Sequence, residues 1–123
     1  MEMATQPTVV IVVDDNSGFL KSVARLLTVH GFTARTFSSA EALLANNVVR
    51  TADCLLLDIH LGGISGIELQ RRIAAGSKCP CPGYTAIDDD ATRKEAIDAG
   101  CIAYLRKPFA PQLLLYAIRK AAA

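Results

Sequence analysis

The chain carries almost no surplus of charge: 13 Lys and Arg against 12 Asp and Glu leave a formal net charge of +1. That balance argues against the strongly basic face a nucleic-acid surface needs, and the adjacent pair Arg71-Arg72 reads as part of a solvated helix face. No span approaches the roughly twenty apolar residues of a membrane helix. The longest early apolar run, Val9 to Val13, is too short for a signal-peptide core and ends in two acids. These absences lead us to expect a cytoplasmic protein. There is no second Cys/His pair to complete a zinc site around Cys79-Pro80-Cys81-Pro82, and two cysteines one residue apart are poorly placed for an unstrained disulfide. Cys54 and Cys101 each open an expected strand, where cysteine acts as a small buried hydrophobe. No repeat, linker or low-complexity segment interrupts the chain.

What is present is sufficient for one domain. Half of the 123 residues are apolar, enough for a single core. Residues 1–7 read as a loose tail and 8–123 as the domain. Strands and helices alternate, a pattern that specifies βαβ units and a parallel sheet. The first helix follows Asn16-Ser17 and presents Phe19, Val23, Leu26 and Leu27 at helical spacing, ending near His30 and Gly31. Thr33 to Phe37 alternates polar and apolar, as an edge strand does. Ser38 with Glu41 is the expected capping box of a second helix that buries Leu43 and Leu44. Ser65 with Glu68 caps a third, with Ile64 and Leu69 as a hydrophobic staple and Glu68 paired to Arg72. Asp88-Asp89-Asp90 opens a fourth that stops at Gly100, and Pro111 opens a fifth carrying Leu113, Leu114, Ala117 and Ile118. The fold class is therefore α/β: a doubly wound five-stranded parallel sheet in the order 2-1-3-4-5 with five helices, flavodoxin-like.

Polar residues stand just after the apolar runs. Asp14 and Asp15 follow Val9 to Val13, Asp58 follows Leu55-Leu56-Leu57, Thr85 follows Tyr84, and Lys107 follows Ile102 to Arg106. Ligands of open α/β sheets bind outside the carboxyl ends of the strands, so these groups are expected to converge. Three converging carboxylates repel one another unless a cation compensates them, and magnesium suits a site of few carboxylates, a carbonyl and water.

The stretches Val-Val-Asp-Asp-Asn at 12–16, Leu-Leu-Leu-Asp-Ile-His-Leu-Gly-Gly-Ile-Ser-Gly at 55–66, Thr-Ala at 85–86 and Tyr-Leu-Arg-Lys-Pro-Phe at 104–109 resemble the receiver domain of two-component response regulators over nearly the whole chain. The resemblance implies that Asp58 accepts a phosphoryl group with Mg2+ as cofactor. Asp15 and Asp58 would be direct ligands, the His60 backbone carbonyl a third, and Asp14 would act chiefly through water. It implies that Lys107 and Thr85 contact the phosphoryl oxygens, that Thr85 and Tyr104 form the switch, and that Lys107-Pro108 is a cis bond. It implies a histidine kinase or phosphotransfer protein as donor and a downstream effector as target. The face of the fourth helix, fifth strand and fifth helix would carry the output and any homodimer, with no direct contact to nucleic acid or membrane. Such a domain catalyses only its own phosphoryl transfer and hydrolysis.

Two departures stand out. Gly62 replaces the proline common after the phosphorylation site, and Pro80-Cys81-Pro82-Gly83-Tyr84 replaces an apolar fourth strand. Proline donates nothing to a ladder and glycine packs nothing, so that strand is expected to be short, bulged or displaced, with Thr85 loosely held. A pseudo-receiver that never turns over phosphate is the main rival reading. An aspartyl phosphatase fits less well, because such enzymes place an Asp-x-Asp pair after the first strand. A flavin-binding protein lacks support because no Ser/Thr/Gly-rich loop follows that strand.

Overall fold

The computed structural model describes residues 8–46, 52–59, 65–76, 82–85, 90–99, 104–107 and 110–122, with the backbone alone at 46, 74–76, 85, 104 and 122. The expected tail at 1–7, the Ile64 staple, Gly62, Cys79, Cys81, Asp88, Asp89, Cys101 and the Lys107-Pro108 bond lie outside the described residues.

Among the described residues ten elements alternate: β1 (Val9–Val13), α1 (Ser17–Val29), β2 (Thr33–Phe37), α2 (Ala40–Asn46), β3 (Cys54–Asp58), α3 (Gly66–Gly76), β4 (Gly83–Thr85), α4 (Asp90–Asp98), β5 (Tyr104–Arg106) and α5 (Pro111–Ala122). All strand pairs are parallel and the sheet order is β2-β1-β3-β4-β5, as expected from sequence. β1 and β3 are central and nearly continuous in apolar residues because both of their faces are covered.

Side chains alternate across the pleat and sort into two layers. Val10, Val12, Cys54, Leu56 and Tyr84 pack against Leu20, Val23 and Leu27 of α1 and Leu114, Leu115 and Ile118 of α5. Ile11, Val13, Leu55 and Leu57 pack against Ala40 and Leu43 of α2 and Leu69 and Ile73 of α3. A smaller cluster of Ile59, Ile67, Ala96 and Ala99 brings α3 and α4 together beside the end of β3.

Helix phases differ from expectation where apolar residues are adjacent. In α1 it is Leu20 that is buried, while Phe19 and Leu26 are half-buried at its border. Leu44 and Leu113 face solvent, and Leu43 and Leu115 take the core positions. The second helix is capped by Ser39, whose Oγ accepts from the Ala42 N–H at 3.0 Å, rather than by Ser38 with Glu41. In α3 the Ser65 half of the capping box is made, Oγ accepting from the Glu68 N–H at 3.1 Å, while the Glu68 carboxylate reaches forward to Arg72 at 3.1 Å. α1 ends with Gly31 at φ 88°: its N–H donates to the Thr28 carbonyl, and the Phe32 N–H donates to the Leu27 carbonyl, the paired bonds of a Schellman motif.

β4 is three residues long, so the expectation of a short strand holds, but it is neither bulged nor displaced. It pairs in register with β3 (Leu57 with Gly83, Asp58 with Tyr84) and with all of β5. The reason is that proline loses only its donor. The Pro82 carbonyl still accepts from the Leu57 N–H at 3.1 Å, and the Tyr84 carbonyl accepts from Ile59 at 2.8 Å. Tyr84 is wholly buried and packs into the layer of α1 and α5.

Two features of α3 generate expectations. A Cβ added at Gly66 would fall 2.0 Å from the Asp58 carbonyl oxygen and 2.8 Å from Ile59 Cα, so only glycine lets α3 approach the end of β3 this closely. Gly66→Ala is expected to cost about 3 kcal/mol or more in urea unfolding and to displace the Asp58 and Ile59 amide resonances; parent-like spectra and stability would contradict this. Gln70 is 1 % exposed and, among the described residues, neither of its amide atoms has a hydrogen-bond partner. A buried polar group left unpaired costs about 1–3 kcal/mol, so Gln70→Met, which conserves the unbranched shape, should raise the urea midpoint by about 1 kcal/mol of stability. A midpoint that falls would mean the amide is satisfied in solution.

Candidate metal and phosphoryl site

The sheet delivers its polar residues to one edge. β1 ends at Val13 and is followed by Asp14 and Asp15; β3 ends on Asp58 itself; β4 ends on Thr85; β5 ends at Arg106, with Lys107 next. β1 and β3 are neighbours whose following connections leave toward opposite sides of the sheet, which opens a crevice between them. There Asp14, Asp15 and Asp58 each present a carboxylate oxygen, all within 4.8 Å of one another. Asp14 and Asp58 are buried and Asp15 is exposed, so the cluster opens to solvent on the Asp15 side.

Asp14 is wholly buried, and both of its oxygens accept hydrogen bonds. Its Oδ1 accepts from the Asn16 N–H at 2.8 Å. Its Oδ2 accepts from the Tyr84 hydroxyl at 2.7 Å and from Lys107 Nζ at 2.9 Å. Asn16 serves the helix as well: its side-chain oxygen caps α1 by accepting from the Phe19 N–H at 3.0 Å. One residue therefore fixes both the start of α1 and one oxygen of Asp14.

The ammonium of Lys107 lies 4.1 Å from the Phe19 ring centroid and 4.9 Å from that of Tyr84. The two rings are 5.3 Å apart and tilted by 41°. Ring faces attract a cation, more so where water is excluded, and the Lys107 side chain is only 21 % exposed. Burial first, then the neighbouring Asp14 carboxylate, pushes the Tyr84 phenol far above its ordinary range. Tyr84 therefore stays protonated at neutral pH and remains a donor to Asp14.

A set of three hard carboxylate oxygens with one lysine as counter-charge leaves the cluster short of positive charge, which fits a magnesium ion. Of the residues read from sequence, Asp14, Asp15, Asp58 and Lys107 are brought together. Thr85 and Tyr104 have their backbones in adjacent strands, Thr85 opposite Arg106 and Tyr104 opposite Gly83, with side chains outside the described residues. His60 also lies outside them. Sequence reasoning missed Tyr84 and gave Phe19 a core role only. The available signal was a lone hydroxylated aromatic immediately before Thr85, where an apolar residue was expected.

Comparison with known proteins agrees with this geometry. The model of the response regulator receiver domain matches residues 10–119. The response regulator protein TmoT of Ectopseudomonas mendocina is 34 % identical over 120 residues, covering 97 % of this chain and 54 % of TmoT. The chain thus spans about half the length of the curated relatives it matches. Among solved structures, the response regulator StyR superposes with a TM-score of 0.86 at 36 % identity, over 95 % of this chain and 60 % of StyR. FixJ-N does so with a TM-score of 0.85 at 31 % identity, over 96 % and 95 % of the two chains. An acidic crevice at the carboxyl edge of a 2-1-3-4-5 sheet, a lysine after the fifth strand and these matches lead to one assignment: the chain belongs to the family of response regulator receiver domains.

Proposed function

We propose that this signalling domain takes a phosphoryl group onto Asp58 and passes the event on by a change in partner affinity. The observation that carries the reading is the convergence of Asp14, Asp15 and Asp58 within 4.8 Å, with the Lys107 ammonium 2.9 Å from Asp14. Asp15 and Asp58, with the His60 carbonyl, would hold magnesium directly, and Asp14 through water. The ion would supply positive charge to the phosphoryl oxygens.

An Asp58 carboxylate oxygen attacks phosphorus while the bond from phosphorus to the donor breaks, and the donor leaves with that electron pair. The product is an acyl phosphate. Phosphoryl transfer depends mostly on alignment and charge neutralisation, so a weak carboxylate nucleophile suffices. Lys107 supplies a point charge to the transferred oxygens and the Thr85 hydroxyl a neutral hydrogen bond. Hydrolysis at the same site would end the signal. A pseudo-receiver is not favoured, because the acceptor, both acidic partners and the lysine are all retained.

The donor in this reading is a histidine kinase or phosphotransfer protein of the cytoplasm, and the receiver of the signal an effector protein. Among the described residues no helix is long and apolar enough to cross a membrane. The switch would run from Thr85 to Tyr104 and out to the face of α4, β5 and α5. α4 carries exposed Ile97, and α5 carries exposed Leu113 and Tyr116, apolar surface suited to an effector or a second copy of this chain.

Incubation with a small acyl-phosphate donor and Mg2+ should add one phosphoryl group, detected by intact mass, and Asp58→Asn should abolish it. Equal labelling of the substituted protein would refute Asp58 as acceptor. Addition of beryllofluoride with Mg2+ should move amide resonances chiefly between Thr85 and Ile118. Changes confined to the surroundings of Asp14 and Asp58 would leave the switch without support.

A further inference from the structure

The Asp14 carboxylate offers about four acceptor positions, and among the described residues three are taken. Two of the three donors, Asn16 and Lys107, belong to motifs already assigned. The third, the Tyr84 hydroxyl, comes from a position where the family ordinarily has an apolar side chain. Tyr84 is wholly buried, and its hydroxyl also lies 3.4 Å from the Val13 carbonyl at the end of β1. Its ring and that of Phe19 flank the Lys107 ammonium.

We infer that Tyr84 is a positioning residue of the phosphoryl site: its hydroxyl fixes Asp14 Oδ2, and its ring, with that of Phe19, holds the Lys107 ammonium against that oxygen. Among the described residues Asp14 is then left a single acceptor position, on Oδ1, which would be open to a metal-bound water. Two consequences follow from elementary electrostatics. The phenolic hydrogen withdraws charge from Asp14, so it weakens the attraction of the cluster for a cation. The aromatic cage limits where Lys107 can stand before phosphate arrives. The metal consequence rests on the reading in the preceding section; the cage does not.

The test uses the whole chain with Tyr84→Phe, which keeps the ring and removes the hydroxyl, and Phe19→Leu, which removes the other ring. Mg2+ titrations followed by amide shifts should give Tyr84→Phe a dissociation constant lower by a factor of about two to ten, the scale of one hydrogen bond. That difference should vanish between Asp14→Asn and the Asp14→Asn/Tyr84→Phe double variant, an outcome a merely structural role would not produce. Without metal, the Asp14 carboxyl carbon should shift in Tyr84→Phe. The Lys107 ε-protons should be ring-current shifted upfield in the parent and in Tyr84→Phe, and should move downfield in Phe19→Leu. An unchanged Mg2+ affinity in Tyr84→Phe, or the same change in the Asp14→Asn background, would overturn the role toward the metal. Lys107 ε-protons at unshifted positions in the parent, or an unmoved Asp14 carboxyl carbon, would overturn the positioning role itself. If the parent binds no Mg2+, the metal reading of the preceding section fails, and the two metal-free resonances alone decide for or against Tyr84.

Discussion

Everything at the carboxyl edge of the sheet is arranged around a repulsion. Three carboxylates stand within 4.8 Å of one another, two of them buried, and like charges this close in a poorly solvated crevice repel one another. The chain offsets this with a cation that is itself half-buried, a neutral hydroxyl and a backbone amide, all directed at Asp14. Breaking a buried ion pair by removing one partner is far more damaging than the pair's net contribution suggests, because a bare charge is left behind. Asp14 and Lys107 are therefore bound to each other's presence, and the strands that carry them, β1 and β5, are tied at the edge although they are not neighbours in the sheet.

The fold serves that arrangement from below. β1 and β3 are buried on both faces and hold their following residues rigidly, so Asp14 and Asp58 emerge at fixed separation from a packed platform. Asn16 ties the start of α1 to Asp14, and the missing side chain of Gly66 lets α3 press against the Asp58 carbonyl. Helix starts and carboxylates thus share the same few residues, so local capping preferences and site geometry reinforce each other.

Much of this was legible in the chain. Three apolar runs each followed by a polar residue, an alternating edge strand and helical periodicity between them point to the parallel sheet, its order and the meeting of Asp14, Asp15 and Asp58. The less legible parts share a cause. Phe19-Leu20, Leu43-Leu44 and Leu113-Leu114-Leu115 are neighbouring apolar residues, and a step of one residue turns a helix by about 100°, so periodicity alone cannot choose which of them meets the sheet. The same one-residue ambiguity separates Ser38 from Ser39 at the start of α2. Of the departures expected in β4, shortness is found, while its described residues stay in register, because the rule against proline concerns its missing donor and its carbonyl is as good an acceptor as any. Tyr84 escaped notice because its role depends on a partner 70 positions away in sequence.

The brevity of β4 gives the site a dynamic character. With three residues in its ladder, the strand is held by one deeply inserted phenol in addition to its backbone hydrogen bonds. Any local opening that detaches β4 from its neighbours must also draw that phenol away from Asp14 and out from beside Lys107. Fraying of the sheet and disassembly of the charge cluster are then one event, and amide exchange in β4 reports on the integrity of the crevice.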